Sequence, residues 1–298
     1  MKKGLIVLMM GMVLGAGAGY ANDKGEKAAA FLKLGQGARA NAMAGAYCAI
    51  ADDSTAIYWN PAGLVQLKGK EVSFMYHKPM TDVDGLGYSN INLAFSNIGL
   101  SLVHLGYGQE KGYDNSGKST DDWSAQDLAI SGSYARRINQ RLSVGASLKV
   151  ISMKIDDKSA NAFCLDGGLL YKDYYPNLNL AAVLTNLGTK PKFIDQADPL
   201  PLSLRLGGAY NLPKSLPIPL LIALDTNLFP FYISLGMEGQ ISPIFSARLG
   251  YASGPADEGS GLTAGLGITT QQSLSLDYAI RPYGELGLSH YISLSSRF

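Results

Sequence analysis

From residue 69 onward the sequence divides into about fourteen segments of about ten residues, each with side chains alternating in period two and each closed by Gly, Pro, Asn or Asp. The segments fall near 70–79, 86–95, 97–107, 124–137, 140–155, 160–171, 175–186, 200–211, 218–228, 231–240, 243–252, 261–270, 272–281 and 285–297. A chain built this way has to form strands. So many strands in one chain must close or be covered, because an open sheet leaves unpaired edges, and an even count is what single-chain transmembrane barrels show.

Alternation alone does not say which face is wet. Leu202, Leu204 and Leu206 alternate with Ser203, Arg205 and Gly207, and Leu274, Leu276, Tyr278 and Ile280 alternate with Ser273, Ser275, Asp277 and Ala279. A soluble barrel gives the same pattern with the apolar set inside. The connections separate the two cases. Those at 96–97, 139–140, 240–243 and 270–271 are tight, whereas three are long: 108–123, acidic and rich in Gly and Ser, 188–199, which contains Pro, and 253–260, with Gly, Asp and Glu. Short periplasmic turns and longer extracellular loops are the arrangement of a transmembrane barrel. Its strands then carry apolar side chains toward lipid and polar ones toward the lumen.

The first residues agree. Met1, Lys2 and Lys3 are followed by an apolar run over 5–14 and by Gly19-Tyr20-Ala21, the form of a secretory signal cleaved before Asn22. No later stretch is long and apolar enough for a transmembrane helix, so any membrane span is made of strands. Composition fits: 35 glycines and 17 tyrosines accompany only 16% charged residues, and a net charge of +1 argues against a nucleic-acid partner.

Residues 31–64 differ from the rest. They do not alternate, and Gly37, Ala38, Ala40, Ala42, Ala44, Gly45, Ala46 and Ala49 leave almost no side-chain volume, which suits a plug whose backbone approaches another backbone closely. Gly35-x-Gly37-x-x-Ala40 superficially fits a dinucleotide fingerprint, but no hydrophobic strand precedes it and strands rather than alternating helices follow. Gly37-Ala38-Arg39-Ala40, Met43, Gly45-Ala46, Ala51-Asp52-Asp53 and Trp59-Asn60-Pro61-Ala62-Gly63-Leu64 together resemble the PorV/PorQ family of outer-membrane proteins, within the FadL-like group of long-chain fatty-acid channels. Arg248-Leu249-Gly250-Tyr251, Asp277-Tyr278-Ala279 and Leu286-Gly287 continue the resemblance over most of the mature chain; Ala44, where the family usually has a second glycine, departs from it and should relax the tightest contact. The resemblance implies an all-β, transmembrane antiparallel barrel of about fourteen strands with an N-terminal plug in its lumen. The chain then partitions into a signal peptide at 1–21, a plug at 22–68 and a barrel at 69–298, located in the outer membrane. It also implies either passage or binding of a hydrophobic molecule such as a fatty acid, or a role beside secretion-system proteins in surface attachment. A purely structural barrel is the third alternative.

The remaining candidates are structural rather than chemical. His77, His104 and His290 are isolated, with no metal spacing and no nucleophile elbow, so no catalytic residue, metal or cofactor is expected. Parity turns Arg205, Glu238, Arg248 and Asp277 toward the lumen, with Glu238 and Arg248 near-opposite across the turn at 242–243. These charges either form an ion-pair ladder of their own or dock a plug through Arg39, Asp52 and Asp53. Asn60-Pro61-Ala62-Gly63 reads as a turn ending the plug at the periplasmic rim, with Tyr58 and Trp59 near the interface. Cys48 and Cys164 are expected to be free buried thiols, a plug-to-wall disulfide being the alternative. Leu286, Leu288, Ile292, Leu294 and Phe298 share one parity, and a terminal Phe298 resembles the signal read by the barrel assembly machinery.

Overall fold

The computed structural model describes residues 27–81, 83–114, 116–213, 215–254, 261–283 and 287–298. Fourteen strands, each antiparallel to its neighbours, close into one barrel. β1 (Lys70–Lys78) pairs with β2 (Leu86–Phe95) on one side and β14 (Leu288–Arg297) on the other, so no edge is left. Between them run β3 (Ile98–Glu110), β4 (Trp123–Arg137), β5 (Leu142–Ile155), β6 (Lys158–Tyr175), β7 (Leu178–Gly188), β8 (Ser203–Asn211), β9 (Leu220–Leu228), β10 (Phe231–Gln240), β11 (Phe245–Ala252), β12 (Leu262–Thr269) and β13 (Leu274–Pro282). The leader 1–21, the start at Asn22, most of the loop 253–260 and Leu286 lie outside the described residues.

The period-two alternation turns one set of side chains outward. Phe74, Ile91, Leu100, Leu102, Ile130, Leu148, Phe163, Leu165, Leu187, Leu235, Leu249, Leu266, Leu276 and Ile292 are all exposed, and they come from twelve of the fourteen strands. A contiguous apolar surface of this extent is not stable in water; it is the belt of a barrel in a bilayer. Both ends of the wall, Lys70 and Phe298, lie on one rim with the turns 96–97, 138–141, 176–177, 241–244 and 270–273, and by the rule that short turns face the periplasm this rim is assigned as the periplasmic one. The long loops 111–122 and 189–202 lie opposite. Sorting over the whole barrel is looser than the seven connections singled out in the sequence suggest: the two-residue turns 156–157 and 229–230 sit on the long-loop rim, and the longer 212–219 sits on the short-turn rim.

The inner wall is not uniformly polar, which corrects the polar lumen expected from β8 and β13. Toward the periplasm it carries Glu71, Ser73, Asn92, Ser133, Ser143 and Arg248; toward the exterior it carries Met75, Tyr88, Val103, Leu105, Ile151, Met153, Ala160, Ala162 and Tyr291, with the polar His77, Asn90 and Asp127 among them, all buried. The chain before β1 fills the lumen as short helical turns, Ala30–Lys33, Ala38–Ala42, Ala56–Trp59 and Pro61–Gln66. Too short to be stable alone, they are held by the wall. Its residues pack into two apolar clusters, Phe31 and Leu32 against the outer half and Met43, Tyr47, Ile57, Trp59 and Leu64 against the inner half.

Candidate functional site

Small residues in the plug meet glycines in the wall. A Cβ on Gly250 would lie 2.5 Å from the backbone nitrogen of Ala44, one on Gly145 2.4 Å from that of Ala62, one on Gly265 2.5 Å from Cβ of Ala42, and one on Gly236 2.7 Å from Cβ of Met43. Gly99, Gly168 and Gly207 stand equally close to Ile57, Asn60 and Cys48. Ala44 departs from the expected relaxation: its backbone is at φ 54°, the left-handed conformation glycine adopts freely, and the contact with Gly250 is kept. An alanine held there costs about 1–2 kcal/mol. Gly45 (φ 77°) lies against the ring of Trp59, and Gly63 sits against the carbonyl of Ala51, where no side chain would fit.

The plug is tied to the periplasmic half of the wall by charge. Arg39 donates from Nε and Nη2 to the two carboxylate oxygens of Glu238 at 2.7 and 2.8 Å, and from Nη1 to Asp52 at 2.7 Å and to the Tyr47 hydroxyl at 2.8 Å. Asp53 accepts from the Tyr47 hydroxyl at 2.6 Å. Glu238 also accepts from Arg248 at 2.6 Å, and Arg248 bridges on to Asp277 at 2.6 Å. Burial works against the Arg39 charge, but Asp52 and Glu238 outweigh it and hold the guanidinium well above its ordinary range. Asp52 and Asp53 therefore meet the plug's own Arg39, rather than Arg205 and Arg248 of the wall. The reason is reach: Arg248 is taken by two wall carboxylates, and Arg205 lies over the Trp59 ring at 4.9 Å.

That placement corrects Tyr58 and Trp59 as well. Both lie in the lumen instead of at the membrane interface, Trp59 donating to the carbonyl of Gln36 at 2.7 Å and Tyr58 to that of Leu32 at 2.9 Å. Burial pushes the Tyr58 hydroxyl up to about 12, so it stays a donor. Asn60 is more than a turn residue: fully buried, it caps the helical turn Pro61–Gln66 by accepting from Ala62, and donates to the carbonyls of Cys48 and of Leu169 in the wall. Cys48 and Cys164 are free and buried. Burial and the neighbouring Asp225 raise the Cys48 thiol, which keeps it protonated. Phe298 is 71% exposed, its backbone paired with Lys70 across the seam.

Other wall groups had no signal in the sequence. Asp225 accepts the amides of both Tyr47 and Cys48 at 3.0 Å. Lys149 meets Asp166 at 2.7 Å and donates to Asn186 at 2.7 Å in an otherwise apolar stretch. His77 stacks on Tyr291 at 3.9 Å, with Tyr88 edge-on, and neither ring nitrogen has a partner among the described residues. Parity places each of these inside; only pairing tells what it touches. Between plug and wall, a void lined by Leu32, Gln36, Ile57 and Tyr58 of the plug and by Tyr88, Val103, Ala129, Ser131 and Lys149 of the wall measures about 10 Å³, the space of one water.

No protein-family model matches the chain, and no curated protein sequence does. Solved structures do. The Ralstonia pickettii toluene transporter TbuX aligns at TM-score 0.62 and 14% identity over 89% of this chain and 98% of its own. The CymD monoaromatic hydrocarbon channel aligns at 0.61 and 14% over the same shares, and a Pseudomonas aeruginosa FadL homologue at 0.53 and 11% over 85% and 95%. The fold is that of the FadL-like barrels. With its closed wall of fourteen strands and its apolar belt, the chain is an outer-membrane barrel.

Proposed function

We propose that this barrel passes hydrophobic small molecules, of the fatty-acid or hydrocarbon type, across the outer membrane, and that it performs no chemistry on them. The observation that carries this reading is the apolar outer half of the lumen. A lumen that only holds a plug needs polar docking groups; Val103, Leu105, Ile151, Met153 and Met75 facing inward from the exterior side form instead a compartment for an apolar guest. Phe31 and Leu32 now occupy it. Their segment is joined to the wall by the hydrogen bond from the Ala28 amide to the carbonyl of Pro199, and to the rest of the plug by that from the Tyr58 hydroxyl to the carbonyl of Leu32. The similarity of fold to toluene and monoaromatic hydrocarbon channels supports the same reading, although fold by itself does not fix function.

A second reading, a PorV-like component of secretion or surface attachment, is favoured by one observation: the void between plug and wall at Leu32, Tyr58 and Tyr88 has space for one water only. Uptake separates the two. Cells lacking their own hydrophobic channels should accumulate a radiolabelled long-chain fatty acid or toluene faster when they express the chain; no gain for either probe removes the transport reading and leaves attachment. Under both readings Phe298 serves as the signal for the barrel assembly machinery, and its deletion should lower the assembled fraction in cells.

A further inference from the structure

The outer wall carries a groove that the lumen reading does not involve. Where β5 to β8 pass the periplasmic half of the belt, Val144, Gly167, Leu169, Ala182, Leu184 and Leu204 line an open hollow of about 410 Å³. Its cause is local. Gly167 turns toward lipid with no side chain, and a Cβ placed on it would touch nothing within 4 Å. Beside it the β6–β7 ladder slips register between Leu165 and Gly167, which spreads the two strands. The volume falls in the roughly 300–1,000 Å³ range of small-molecule sites, and the lining is apolar. Its place in the belt means hydrocarbon covers it.

What makes this more than a dent in the belt is charge at its edge. The register puts one row of outward residues at one level: Arg136 opposite Val144, Val144 opposite Leu169, and Leu169 opposite Ala182. Directly opposed side chains stand about 4.5–5.5 Å apart at Cβ, so the Arg136 guanidinium reaches the groove's margin. Arg141, exposed in the turn 138–141, and Lys172, whose amide donates to the carbonyl of Arg141 at 2.8 Å, lie one step nearer the periplasm. Among the described residues no carboxylate forms an ion pair with Arg136, Arg141 or Lys172. An apolar slot ending in cations at the depth of the headgroups is complementary to one kind of molecule: an acyl chain joined to a phosphate, the anion that a guanidinium recognises best.

We propose that this groove is a seat for one phospholipid of the periplasmic leaflet, its acyl chain against Gly167 and its phosphate on Arg136 and Arg141. The seat is independent of what the lumen carries. The test uses the full chain extracted in mild detergent, exchanged into mixed micelles with phosphatidylglycerol or diacylglycerol, and read by native mass spectrometry. The intact protein should keep one phosphatidylglycerol through washing, at least tenfold more than diacylglycerol. Gly167→Leu puts a side chain into the hollow, with nothing within 4 Å of its Cβ, so it should fold normally and lose the bound lipid. Arg136→Gln with Arg141→Gln should erase the preference over diacylglycerol. Equal retention by the intact protein and Gly167→Leu would overturn the seat, and so would an unchanged preference in the double variant. Displacement by inorganic phosphate alone would also overturn it, because the acyl chain would then contribute nothing.

Discussion

The two halves of the lumen hold the same N-terminal segment in different ways. In the periplasmic half contact is specific at the level of atoms: glycines receive backbone, Asp225 takes two amides, and Arg39 is clamped between Glu238 and Asp52. In the exterior half Phe31 and Leu32 meet the wall through apolar contact, resting on Val103, Ile151 and their neighbours. Hydrogen bonds and buried ion pairs punish displacement steeply, because separation leaves unpartnered groups. Apolar contact is non-directional and can be exchanged for another apolar partner at little cost. The lower half is thus a lock, and the upper half a replaceable filling.

The contrast can be broken outright by deleting residues 31–55 while keeping Asn60. A wide barrel without its filling is an aqueous pore, so planar bilayers should show a silent intact protein and a conducting variant; equal conductance would mean the segment does not occlude. Next in size is Arg39→Met, which leaves Glu238 and Asp52 short of their shared cation and should cost about 3–5 kcal/mol in urea unfolding of the reconstituted barrel. Adding Glu238→Leu should return part of that loss. Ile151→Ala tests the opposite half. It should cost about 2–3 kcal/mol, the low end for a buried isoleucine, because the apolar side chains of Phe31 and Leu32 can settle into the space, and conductance should stay at zero. Smallest is Ala44→Gly. Relief of about 1–2 kcal/mol of left-handed strain, less about 0.5–1 kcal/mol for glycine's freer unfolded chain, should stabilise the protein by roughly 0.5–1 kcal/mol.

The strands were legible because alternation and turn residues are local signals, and a belt in lipid demands them. The polarity of the lumen was not. In 100–105, Leu-Ser-Leu-Val-His-Leu, the inward set is Ser101, Val103 and Leu105 and the outward set Leu100, Leu102 and His104, so both faces read as apolar. Gly99, Gly145, Gly168, Gly207, Gly236, Gly250 and Gly265 all face inward, yet nothing in sequence says they share contact with one plug. Trp59 was assigned by the preference of aromatic rings for membrane interfaces; its cation partner, Arg205, comes from a strand far along the chain. Gly167 was invisible for the same reason, since its meaning lies in what three neighbouring strands leave empty.

The glycine-lined fit of the plug also dictates an order of construction. Plug atoms, backbone at Gly145, Gly236 and Gly250 and side chain at the others, meet inward glycines of β3, β5, β6, β8, β10, β11 and β12, half of the fourteen strands, at distances that leave no room for a Cβ. A bolt cut that closely cannot be pushed into a finished cylinder, so the staves must be raised around it. The last joint is then the β1–β14 seam, where the chain leaves the plug at Gly69 and where Lys70 and Phe298 exchange backbone hydrogen bonds at 2.9 Å. Phe74 and Leu294 face each other across that joint. With cysteines at these two positions, cross-linking during assembly should follow burial of the plug; a seam that locks before the plug is shielded would show that the barrel can be filled after it is closed.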